Sequence, residues 1–88
     1  MRNYSMIRLH TTIIPDSELS AEVKSFLEGL ELSIRARLST ERAIRQLHLR
    51  SVEAATFYLR GVAMEKMPCP NAGDRTRQEL REKLGLMA

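Results

Sequence analysis

The sequence predicts a mainly α-helical single domain. The prediction rests on a core palette almost free of aromatics, on apolar residues recurring at three- and four-residue steps, and on Ser, Thr, Pro and Gly punctuation between those runs. Aromatics are only 5% of the 88 residues and tryptophan is absent, so the core must come from Leu, Ile, Val, Met and Ala, which suits helices packed on helices. The chain is too short for a second domain. Residues 1–88 therefore read as one unit: a strand or arm over 1–15, a helical core over 16–67, a loop over 68–73 and a C-terminal helix over 74–86. The expected architecture is a short N-terminal strand followed by a small bundle of about four helices.

The strand is expected at residues 4–14, where Ile7, Leu9, Thr11 and Ile13 alternate with Met6, Arg8, His10 and Thr12. With no second strand in the sequence, it must pair with its copy in a homodimer or lie as an arm. Pro15-Asp16-Ser17 breaks it. The first helix should run from about residue 17 to the mid-thirties on the stripe Leu19, Val23, Phe26, Leu27, Leu30, Ile34 and Leu38, with Gly29 its weak point. Ser39 and Thr40 should open the second helix, turning Ala43, Ile44 and Leu47 inward. After the turn His48-Leu49-Arg50, Ser51 is a good N-cap for a third helix, with Glu53 placed early to suit the dipole. That helix carries Val52, Ala55, Leu59, Val62 and Ala63 on one stripe, with Ala54, Phe57, Tyr58 and Met64 beside it, and Pro68 ends it. Thr76-Arg77-Gln78-Glu79 reads as a capping box for the last helix, with Leu80 and Leu84 as its seam and Gly85 as its stop.

Composition argues against several function classes. One cysteine, Cys69, allows no internal disulfide, whereas a secreted domain of this size usually needs such staples. Charges interrupt the first ten residues too often for a secretion signal, and no apolar run approaches a membrane span. These features point to a cytoplasmic protein. Catalytic and metal motifs are missing. His10 and His48 have no Cys or carboxylate at ligand spacing, Cys69 has no activating base nearby in sequence, and the four glycines form no phosphate loop. A non-enzyme without cofactors is expected.

The distribution of charge is more informative than its total of +3. Residues 1–32 carry Arg2, Arg8 and Lys24 against five acids, a net of −2. Residues 33–60 carry Arg35, Arg37, Arg42, Arg45, Arg50 and Arg60 against Glu41 and Glu53, a net of +4 supplied wholly by arginine. Arginine's planar fork matches phosphates and guanine edges. In ordinary bundles such a run is a solvated helix face.

Two helices joined by a three-residue turn over residues 40–62 make a helix-turn-helix pattern, whose second helix presents its N-terminal side to the major groove. Arg50, Ser51, Glu53, Thr56 and Arg60 would then face outward, with Arg42 and Arg45 on flanking phosphates. Leu47-His48-Leu49-Arg50-Ser51, followed by Ala54-Ala55 and Leu59, resembles the helix-turn-helix of LexA-type repressors over roughly 20 residues. That resemblance implies a DNA-binding transcriptional regulator contacting double-stranded DNA through Arg42, Arg45, Arg50, Ser51, Thr56 and Arg60. The sequence departs from the family at the turn, where His48 replaces glycine in a position needing left-handed geometry, and in lacking a β-wing. A minor alternative is a ribbon-helix-helix start, with Arg8 and His10 on the strand. The other functional class is a helical regulator or inhibitor, such as a phage- or plasmid-borne one, docking on a larger acidic protein through arginines and adaptable methionines such as Met64, Met67 and Met87.

Overall fold

A computed structural model of the chain describes residues 18–87. The expected strand, and the homodimer pairing built on it, lie outside these residues. The described residues are mainly helical, with four helices and no strand among them: α1 Ala21–Leu30, α2 Ile34–Gln46, α3 Val52–Ala63 and α4 Asp74–Lys83.

The long apolar stripe expected of one first helix is divided between two. Helix α1 starts at Ser20, whose Oγ accepts the Val23 N–H at 3.2 Å, and it ends where Glu31 turns left-handed at φ 55°. Ser33 then caps α2 by accepting the Ala36 N–H at 3.3 Å. Ser39 and Thr40, expected to open the second helix, instead lie inside α2 facing the core. Thr40 is fully buried, and its hydroxyl is satisfied by the Ala36 and Arg37 carbonyls at 2.9 and 3.0 Å. A short polar residue that bonds back to its own helix can lie in a helix interior, which its preference for caps obscures in sequence.

Helix α3 begins as expected, with Ser51 Oγ accepting the Ala54 N–H at 3.1 Å and Glu53 in the first turn. It stops at Ala63, five residues before Pro68. Glu65 turns left-handed at φ 60° while the Glu65 and Lys66 amides close back onto Val62 and Gly61. The last helix starts at Asp74 from Gly73 rather than at the Thr76 capping box. The Glu79 carboxylate reaches out from α4 and accepts both the N–H and the hydroxyl of Ser33, the latter at 2.9 Å. In an ordinary capping box the acid sits three residues after the cap. Ala36 holds that position in α2, and α4 supplies the acid instead.

The core lies mainly between α3 and α4, with α1 packed on α3 and α2 leaning on α4. Leu27, Ile44, Leu59, Leu80, Val23 and Val62 are fully buried, each contributing on the order of 2 kcal/mol of hydrophobic stabilisation. The loop after α3 folds back over it: the Lys66 and Met67 amides donate to the Gly61 carbonyl at 2.7 and 3.1 Å. A Cβ on Gly61 would stand 2.6 Å from Met67 Cγ, so any larger residue there forces the Met67 side chain to move.

The α2–α3 connection is fixed by its backbone. His48 adopts φ 56°, its N–H donates to Arg45 O at 3.1 Å, and the Leu49 N–H donates to Ile44 O at 3.1 Å. This is a Schellman motif with histidine in the position that favours glycine. Replacing His48 by Gly should raise stability by about 1 kcal/mol, measured as a higher urea midpoint at unchanged slope. Gly61→Ala should lower it by roughly 1–3 kcal/mol in the same assay, because the Met67 side chain must shift.

Candidate nucleic-acid interface

Three residues, His48, Leu49 and Arg50, lie between the C-cap of α2 at Leu47 and the N-cap of α3 at Ser51. Leu49 is partly buried against the core, but Leu47 is 51% exposed. Of Ala43, Ile44 and Leu47, all expected to turn inward, the first two are buried and Leu47 is not. Helix α2 packs against α4 more than against α3, so its C-cap Leu47 is not covered by the helix that follows in sequence. On the other side of the turn, Ser20 Oγ donates to Arg50 O at 2.8 Å, tying the start of α1 to the approach of α3.

Helix α3 separates its faces cleanly. Ala55, Tyr58, Leu59, Val62 and Ala63 are buried, while Glu53, Phe57, Arg60 and Met64 lie on the opposite, exposed side. Arg60 therefore projects from the middle of the outward stripe, and Arg50 stands exposed just before the cap. Ser51 is exposed, with its oxygen occupied by the cap, and Thr56 is half-buried on the flank of the stripe. Phe57 and Met64, expected beside the apolar stripe of a central helix, are 69% and 50% exposed. Helical spacing carried that signal, because residues 57 and 64 fall opposite 55, 59 and 62.

The arginines of α2 divide into two kinds. Arg37 is tied to acids: its Nε donates to Glu41 at 2.8 Å, and its Nη2 lies 3.5 Å from Glu28. The Glu41 hydrogen bond chiefly holds the Arg37 pKa above its usual range. Arg45 is half-buried, with Nη2 3.9 Å from the other oxygen of Glu41. It is partly committed to the protein's own acid. Arg42 is exposed, as are Arg50 and Arg60, and none of these three has an acidic partner among the described residues. Arg35, absent from the expected set, is exposed in the first turn of α2 and equally without such a partner.

Behind this surface, Tyr58 donates its hydroxyl to Pro68 O at 2.7 Å, and Cys69 is buried beside it. Burial, followed by the neighbouring Cys69, pushes the Tyr58 pKa up. Burial likewise raises the Cys69 thiol, while Tyr58 and Arg77 pull it the other way. Among the described residues, no three or more His, Cys, Asp or Glu side chains group as metal ligands, and no helix is long and apolar enough to cross a membrane. Comparison with known protein families, with curated proteins and with solved structures finds no match.

The raised thiol and phenol predict an alkaline loss of stability. Above the ordinary values of 9.0 and 10.0, the unfolded chain releases protons that the folded chain retains. The urea midpoint should therefore fall from about pH 9 upward. In Cys69→Ala the fall should begin nearer pH 10, because only the phenol then contributes.

Proposed function

We propose that this chain is a small DNA-binding regulator that contacts duplex DNA with the α2–α3 turn and the outward side of α3. The observation that carries this reading is that Arg42, Arg50 and Arg60 stand exposed with no acidic partner among the described residues, Arg50 just before the α3 N-cap and Arg60 in its last turn. In a helix-turn-helix the second helix enters the major groove by its N-terminal turn. Arg50 and Ser51 immediately precede that turn here, with Arg60 about 14 Å further along the axis from Ser51 at 1.5 Å per residue. This separation is near the roughly 12 Å width of the major groove, so the two guanidiniums suit phosphates on either side of it. Arg42 and Arg45 supply flanking phosphate contacts, Arg45 more weakly because it shares Glu41. Thr56 offers only its exposed edge. A homodimer presenting two such surfaces completes the reading.

A second reading is favoured by the large apolar side chains exposed on both helices. Phe57 and Met64 on α3, with Ile34 and Leu38 exposed by 79% and 62% on α2, interleave with arginines as protein interfaces do. In that case the chain docks on a larger protein whose acidic groups meet the guanidiniums.

A gel-shift series with mixed-sequence duplex across salt concentrations tests the first reading. Three guanidiniums neutralising three phosphates give a slope of about −2.7 in log affinity against log salt, so affinity should fall about 40-fold between 50 and 200 mM. Arg50→Ala combined with Arg60→Ala should reduce that fall to about 3.5-fold and remove most binding. An unchanged affinity in the double variant rejects the assignment. No duplex binding at low salt, together with a co-purifying protein that Phe57→Ser releases, favours the second reading.

A further inference from the structure

We infer that α2 carries an oxyanion site of its own, made by Arg35 and Arg42, which holds a phosphodiester group of the nucleic acid. The site is an open groove of 450 Å³ lined by Arg35, Leu38, Ser39, Arg42 and Asn71. Arg35 and Arg42 are seven residues apart, two turns of one helix, so both project to the same side about 10 Å apart along the axis. Leu38, one turn from each, is 62% exposed between them. The far wall is the loop residue Asn71, held in the left-handed region at φ 64°. It is fixed to α2 because Ser39 Oγ donates to its carbonyl at 3.3 Å.

Charge argues for an anion. Glu41, beside Arg42 in sequence, is engaged by Arg37 and Arg45, and Glu31, four residues before Arg35, lines a different groove, so this one is lined by two cations and no carboxylate. Guanidinium forks match phosphate oxygens, and a phosphate has enough of them to accept from two arginines at once. The Leu38 side chain between them leaves an apolar strip that suits the sugar edge of a nucleotide. Arg35 thereby becomes a phosphate contact that charge counting along residues 33–60 did not single out. The nature of the anion as a nucleic-acid phosphate rests on the DNA reading, whereas the groove's affinity for phosphate does not.

The test separates the two. In the full chain, Arg Nε–Hε correlations are followed by NMR during titration with inorganic phosphate, using chloride at equal ionic strength as the control. Arg35 and Arg42 should shift together and saturate, and Arg35→Gln should abolish the Arg42 response. Arg75→Gln on α4 should leave it intact. In the duplex series, Arg35→Gln should weaken binding about tenfold and reduce the salt slope by about 0.9. If Arg35 and Arg42 do not respond to phosphate beyond chloride, or Arg35→Gln leaves the slope of a binding duplex unchanged, the site is rejected while the DNA reading stands. If phosphate moves both arginines but duplex does not bind, the groove stands as an oxyanion site and the DNA reading falls. Both variants alter exposed side chains, so the fold is retained in each.

Discussion

Two oppositely charged residues on α4 hold the ends of two other helices, and the arrangement of the proposed contact surface depends on them. Glu79 accepts the free N–H at the start of α2, where a helix dipole favours an anion. Arg81 donates from Nη1 to Ala63 O at 2.7 Å, the last residue of α3, where the dipole favours a cation. Both side chains are half-buried, and fully buried Leu80 stands between them in sequence. A single turn of α4 thus anchors one helix by its beginning and the next by its end. Helices α2 and α3 make little direct contact, so their relative orientation is transmitted through α4.

This division of labour bears on function. In a helix-turn-helix pair that is self-supporting, the first helix braces the second directly. Here the brace is indirect, which leaves the end of α2 uncovered and exposes Leu47. The outward faces of both helices are consequently mixed surfaces. Arginines without acidic partners among the described residues alternate with large apolar side chains on α2 and α3. Polyanion attraction and hydrophobic docking are both available to such a surface, and the guanidiniums set the long-range preference because their field extends beyond contact.

Local signals in the sequence were read well where one residue type decides the outcome. Ser51 as a cap, the three-residue turn, the left-handed position at His48 and the burial of Ala55, Leu59 and Val62 all follow from propensity and helical spacing. Helix ends were read less well, because they were settled by long-range partners. The stripe from Leu19 to Leu38 is periodic enough for one helix, yet Glu31 turns left-handed and Ser33 finds its acid 46 residues away. Similarly, Glu79 in a capping-box pattern was drawn across to α2, and Thr40 was satisfied within its own helix. At the candidate site, arginine counting found the charge but not its pairing. Glu41 sits between Arg37 and Arg45 and takes up part of the local excess, leaving Arg42 on the same helix without it.

The hydrogen bond from Ser20 to the Arg50 carbonyl has a practical corollary. It joins the N-cap of α1 to the residue just before the N-cap of α3, so the first turns of two helices far apart in sequence lie side by side at the rim of the proposed contact surface. A change that unseats one of these helix beginnings therefore unseats the other.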